Sequence, residues 1–164
     1  MVPAPEVLWS ILASCRLRAK KGKGMYEKAV CFSEKPLVAL KDTVMGAEAR
    51  VRRGTRSLVW SAYGIMFEKT YLQSLGVRPV LHLDDQERLS CPKEMAHRII
   101  SFKEGTNWLH EREWRGATDL VFDITQCIVL VPNFEQAEIF RAALAEKGKR
   151  ARGILPLHDL FAAL

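Results

Sequence analysis

The sequence predicts a single α+β domain over residues 1–164, on three observations. The chain has 164 residues, 48% of them apolar and 27% charged, the balance of an ordinary globular protein. A domain of that length buries about 70% of the surface its unfolded chain exposes, so it folds without metal or disulfide staples. Short runs rich in β-branched and aromatic residues lie close together with short helical segments between them, unlike the strict alternation of a βαβ protein.

In chain order, a first helix is predicted over Pro5–Ser14, where Val7, Leu8, Ile11 and Leu12 recur at helical spacing. A basic, glycine-containing loop follows from Arg18 to Gly24. Lys28–Ser33 reads as a short strand, and Pro36, suited to a first turn, opens a helix to about Val44. Gly46–Arg56 is expected to be an exposed basic loop. Ser57–Phe67 is expected to be one long strand, or two joined at Gly64, on its β-branched and aromatic content. Thr70–Leu75 is a short helix closed by Gly76.

Pro79–Leu83 reads as a strand and Pro92–Phe102 as a helix with Met95, Ile99 and Phe102 on one side. Three strands are expected next, at Asn107–Arg115, Leu120–Phe122 and Cys127–Val131. The last is apolar on both faces and is expected to be central. Phe134–Lys147 is an amphipathic helix with Phe134, Ala137, Phe140, Ala143 and Leu144 along its stripe. A strand near Ile154 and a short helix at His158–Leu164 close the chain. No internal repeat or low-complexity tract interrupts it.

The four cysteines, Cys15, Cys31, Cys91 and Cys127, are widely separated, with no CxxC and no histidine at ligand spacing. A zinc site is not expected, and Cys31 and Cys127, inside apolar runs, are expected to act as small core hydrophobes. The N-terminus lacks the basic region of a signal peptide, and no run approaches the roughly 20 apolar residues of a membrane span. The expected setting is a reducing cytoplasm, without a membrane partner.

Net charge is +6 and the pI about 9.3, which favours anionic partners: nucleic acid, nucleotides or an acidic protein. The surplus is concentrated in residues 16–28 (Arg16, Arg18, Lys20, Lys21, Lys23, Lys28) and 50–56 (Arg50, Arg52, Arg53, Arg56). Such runs hold nucleic acid in some proteins and are merely solvated loops in others.

The common nucleotide and hydrolase signatures are absent: the chain has no GxxxxGK[ST], no GxGxxG after a strand, no HExxH and no GxSxG. What remains is the strand Trp108–Arg115. Side chains alternate along a strand, so Glu111, Glu113 and Arg115 share one face, with His110, Arg112 and Trp114 on the other. Glu111 and Glu113 then lie about 7 Å apart, and two carboxylates so placed can divide the work of stabilising a cation and moving a proton. The plainer alternative is that they pair with Arg112, Arg115 or the basic loops. Two further candidates are Ser33, a hydroxyl at a strand end, and Tyr63, whose ring beside Gly64 could face a planar ligand. A capping role and a core position are their respective plain alternatives. His82, His97 and His158 read as structural.

Taken in order, Val30-Cys-Phe-Ser-Glu-x-Pro-Leu37, Tyr63-Gly-Ile-x-Phe-x-Lys69, Gly76-x-x-Pro-Val80 and Glu111-Arg-Glu-Trp-Arg115 resemble the pattern of AbiGi-like abortive-infection proteins. That group looks related to the DarT-like branch of the ADP-ribosyltransferases, and the resemblance spans about residues 29–132. It implies a mixed or antiparallel split β-sheet with short peripheral helices, an ADP-ribosyltransferase-like fold that grips NAD in a cleft. It also implies transfer of ADP-ribose to a nucleic-acid or protein acceptor, or hydrolysis of the nicotinamide bond, in a phage-defence or toxin–antitoxin system. Cleavage of that bond develops positive charge on the ribose, which a neighbouring carboxylate stabilises. By this resemblance Glu113 is the decisive carboxylate and Glu111 its partner, while Ser33 lies near the ribose and Tyr63 against nicotinamide.

The family pattern opens with a strand whose His or Arg holds the adenosine end of NAD. This chain has a helix there instead, leaving Arg16 or Arg18 as substitutes. That departure keeps a second reading open: a non-enzymatic antitoxin or binding module, holding nucleic acid or a partner protein on its basic surface.

Overall fold

The computed structural model describes residues 3–22, 25–54, 60–101 and 112–164. The first regular elements are α1 (Ala4–Ser14), β1 (Arg16–Leu17), β2 (Val30–Ser33), α2 (Leu37–Arg52) and β3 (Gly64–Met66). There follow α3 (Lys69–Ser74), β4 (Arg78–Pro79), β5 (Leu81–Leu83), α4 (Asp85–Leu89), a 3-10 turn at Lys93–Arg98 and β6 (Ile99–Ser101). The rest are β7 (Glu113–Gly116), β8 (Leu120–Val121), β9 (Ile128–Val131), α5 (Phe134–Glu146), β10 (Gly153–Pro156) and α6 (Leu157–Ala162). The fold is mixed α+β, with several small sheets and short helices. No helix among the described residues is long and apolar enough to cross a membrane.

The chain groups into two compact units. The first comprises Met1–Cys15, Pro36–Phe67 and Phe122–Leu164. Its sheet has β9 at the centre, parallel to β10 and antiparallel to β3, the central place its two-sided apolarity predicts. Val129 and Val131 are fully buried, as is Cys127 just before the strand. α5 carries the crossover from β9 to β10, and Asn133 caps it by accepting the Gln136 N–H at 3.0 Å.

Ala137, Phe140 and Leu144 form the buried stripe of α5. Phe134, expected on that stripe, is 65% exposed; at 100° per residue it lies about 90° from the stripe's centre. The core of this unit gathers Val44, Ala62, Leu157 and Phe161, flanked by Leu40, Leu130 and Leu155. α1 buries Leu8 and Leu12. At its C-terminus Lys149 Nζ donates to the carbonyls of Leu12 and Ala13 at 3.2 and 2.6 Å, a cation at the negative end of a helix.

Two expectations in this unit are corrected. α2 runs through to Arg52 instead of ending near Val44, because Ala47, Glu48, Ala49 and Arg50 are good helix formers and Ala47 is drawn into the core at 1% exposed. Arg50, Arg52 and Arg53 are therefore on the end of a helix, while Arg56 lies outside the described residues. Of the strand expected over 57–67, the described part keeps only Gly64–Met66, since only these three residues pair with β9.

The second unit comprises Arg16–Lys35 and Glu68–Val121. Its main sheet has the order β2-β7-β4, all antiparallel, with β7 in the middle. β1 pairs with β8 antiparallel, and β5 with β6 in parallel. Lys20 and Ala29 exchange both backbone hydrogen bonds, at 3.0 and 3.1 Å, so an antiparallel bridge joins the expected basic loop to the residue before β2; Lys23 and Gly24 lie outside the described residues.

The helix expected over 92–102 is instead a 3-10 turn followed by β6. Ile99 and Ile100 are β-branched and find strand partners in Leu81 and His82. α4 was not foreseen; Asp84 and Glu87 form a capping box at its start, a signature legible in the sequence. Gly76 closes α3 at φ 82° as predicted.

Candidate functional site

The acidic strand and the Val30–Ser33 strand meet in the second unit. β2 is built from Val30, Cys31 and Phe32, side chains that suit a pleated, half-buried surface, and it stops before Pro36, which has no N–H to donate. Its register against β7 sets Ser33 opposite Glu113, Phe32 opposite Trp114 and Cys31 opposite Arg115. Directly paired residues share a face. One face therefore carries Cys31, Ser33, Glu113 and Arg115, and the other carries Phe32 and Trp114, with Pro79 of β4 opposite Trp114.

On the first face Arg115 is 4% exposed. Its Nε and Nη2 donate to Oε1 and Oε2 of Glu113 at 2.9 and 3.1 Å. Its Nη1 donates to the carbonyls of His97 and Ile99, both at 3.2 Å. A buried guanidinium needs such partners on every side. Burial, opposed by the ring N–H donating to the Glu94 carbonyl and reinforced by the Arg98 and Arg115 charges, holds His97 below the ordinary histidine value.

Cys31, expected in the core, is an exposed residue. β2 is an edge strand of its sheet, so among the described residues no neighbouring strand covers its outer side. The Cys31 sulfur nevertheless lies against Glu113, and desolvation there, followed by the hydrogen bond and charge of that carboxylate, pushes the thiol up to about 12. Cys127 is buried as expected, and burial raises its thiol to about 12.

Beyond the end of β2, the Glu34 carboxylate collects three donors. Lys69 Nζ and Arg112 Nη2 reach Oε1 at 3.0 and 3.1 Å, and Trp114 Nε1 reaches Oε2 at 3.0 Å. These hydrogen bonds and charges, Lys69 and Trp114 first, hold the Glu34 carboxyl below the ordinary range. Lys69 also stands 6.0 Å from the Trp114 ring centroid. Arg112 adopts φ 45°, and its carbonyl accepts the Glu34 N–H at 3.1 Å.

The structure thus brings Ser33 and Glu113 together. Glu111, the expected partner of Glu113, lies outside the described residues, as does His110. Tyr63 belongs to the first unit, where its hydroxyl donates to Gln136 Oε1 at 3.1 Å and its ring packs 6.3 Å from Phe140. Burial pushes its phenol up. Arg16 lies on β1 with its Nε 3.4 Å from Asp119 Oδ2, and Arg18, just after that strand, is exposed.

Sequence reasoning missed the Glu34 cluster, although its members sit in the segments that carry the family resemblance. Glu34 follows Ser33, Lys69 ends Tyr63–Lys69, and Arg112 and Trp114 flank Glu113. Among the described residues no group of three His, Cys, Asp or Glu side chains could hold a metal ion. No family model, curated protein or solved structure matches this chain.

Proposed function

We propose that this chain is a non-enzymatic binding module of a phage-defence or toxin–antitoxin system, which holds a nucleic acid on its basic surface. The observation that carries the non-enzymatic part is the two-point grip of Arg115 on Glu113. A carboxylate whose two oxygens already face a guanidinium offers little to a cationic ribose, and here it satisfies a buried charge instead.

The nucleic-acid part rests on the segment around the Lys20–Ala29 bridge, where Arg18, Lys20, Lys21 and Lys28 are exposed. Within it Tyr26 stacks under Arg88, whose guanidinium carbon is 4.8 Å from the ring centroid. The system-level assignment rests on the motif resemblance alone. Titration of single-stranded DNA and RNA from low to physiological salt tests the reading. Affinity is expected to fall steeply, by roughly 0.9 in log–log slope per duplex phosphate neutralised and about 0.7 for single strands. Binding indifferent to salt returns that segment to an ordinary solvated loop.

A second reading keeps the ADP-ribosyltransferase-like fold with NAD as substrate, Glu113 and Glu111 catalytic and Ser33, Tyr63, Arg16 and Arg18 on the cofactor. It is favoured by one observation: Ser33 lies directly across the ladder from Glu113, whose side chain is 20% exposed. Nicotinamide release from NAD decides between them. Turnover by the wild type that Ser33→Ala reduces at least tenfold favours the enzyme; no release with any acceptor favours the module.

A further inference from the structure

We propose that Lys69, Arg112 and the indole N–H of Trp114 form a recognition site for a phosphate group, which the Glu34 carboxylate occupies as an internal placeholder. The donors come from three places, the start of α3, the residue before β7 and β7 itself, yet they converge on one carboxylate within 3.0–3.1 Å. Two cations on a single anion leave the cluster with one surplus positive charge. Surface ion pairs add little to stability, so the convergence has no large structural return.

Access and strain point the same way. The side chains of Lys69 and Arg112 are 58% and 54% exposed, against 29% for Glu34. An anion in solvent therefore meets both cations without any movement of the core. Arg112 stands at φ 45°, in the left-handed region that residues with a side chain seldom enter. Strain of this kind gathers at ligand clamps. Here the Glu34 N–H to Arg112 carbonyl contact fixes the strained residue beside the carboxylate that its guanidinium binds.

The donor geometry fits phosphate better than it fits the carboxylate now present. Both cations crowd onto Oε1, while the indole alone takes Oε2. A phosphate presents more oxygens and up to two charges, so each donor would have its own acceptor and the two cations would be matched in charge. Arginine and lysine are the usual partners of such a group.

Isothermal titration of the full chain with inorganic phosphate, at ionic strength held constant with chloride, tests the proposal. Glu34→Ala empties the site and is expected to bind phosphate at least tenfold more tightly than the wild type. Glu34→Gln keeps the volume without the charge and is expected to give a smaller gain in the same direction; it carries the comparison if Glu34→Ala melts early. Adding Arg112→Ala or Lys69→Ala to either variant is expected to cancel the gain. A parallel titration with a 5′-phosphorylated dinucleotide identifies the source: tighter binding than free phosphate assigns the site to nucleic-acid phosphates, and equal binding assigns it to phosphate alone. No gain in either Glu34 variant, or a gain that survives loss of Arg112, overturns the proposal. Free phosphate is the probe, so this result stands apart from whether the 16–28 segment binds nucleic acid.

Discussion

Arg115 grips both carboxylate oxygens of Glu113, two residues earlier on the same strand, at 2.9 and 3.1 Å. Alternation along β7 places the two side chains on one face, and burial of Arg115 makes the pair structural before it is anything else. The Nη1 group of Arg115 ties that strand to the carbonyls of His97 and Ile99. Glu113 of that pair also adds to what burial does to the neighbouring Cys31 thiol.

Glu113→Gln is therefore expected to destabilise the fold by about 2–4 kcal/mol. Breaking a fully buried ion pair costs about 3–5 kcal/mol, and the 20% exposure of the Glu113 side chain lowers the figure. Urea unfolding at neutral pH measures it. A change below about 0.5 kcal/mol, typical of an ordinary surface substitution, would show that Arg115 finds other partners.

The Cys31 thiol, raised to about 12 from its ordinary 9.0, is expected to resist alkylation despite its exposure. A thiol raised in this way holds much less thiolate at pH 8 than an unperturbed cysteine, and the thiolate is the reactive form. Iodoacetamide labelling followed by peptide mass analysis reads the rate at Cys31. Glu113→Gln is expected to speed it several-fold but not fully, because burial, the larger cause, remains. Labelling at Cys31 as fast as free cysteine would contradict the arrangement.

Cys127 makes stability fall in alkali. Its folded thiol titrates near 12 and its unfolded thiol near 9.0, so between these values the unfolded chain binds fewer protons and stability drops as pH rises. The contribution is about 1.4 kcal/mol per pH unit above 9. Lysines and tyrosines titrate in the same range, so the measurement is a difference: urea unfolding of wild type and Cys127→Ala at pH 8, 9 and 10. The variant, weaker at pH 8, is expected to lose stability less steeply, and parallel slopes would refute the assignment.

Tyr63→Phe removes the hydroxyl that donates to Gln136 while keeping the ring against Phe140. The expected loss is about 1 kcal/mol, the usual worth of one hydrogen bond, read by urea unfolding. If the wild type releases nicotinamide, Tyr63→Phe is expected to keep that activity, since a flat ring is all the NAD reading asks of this position.

The sequence by itself determined the elements whose signals are local. The helix over Ala4–Ser14, the glycine stop at Gly76, the central strand Ile128–Val131 and the helix after it all follow from spacing, turn chemistry and two-sided apolarity. It also determined that Glu113 and Arg115 share a face, since alternation along a strand requires it. Tertiary structure decided the rest, because the deciding partners are remote in sequence. Ile99 and Ile100 became strand when residues near Leu81 offered a ladder, and α2 lengthened as tertiary packing buried Ala47 beyond the expected end. Cys31 kept exposed surface because its strand lies at a sheet edge. Glu34 is 35 residues from Lys69 and 80 from Trp114, and no periodicity spans such intervals; the pairing of β2 with β7 brings Glu34 to Arg112 and Trp114, and the start of α3 adds Lys69.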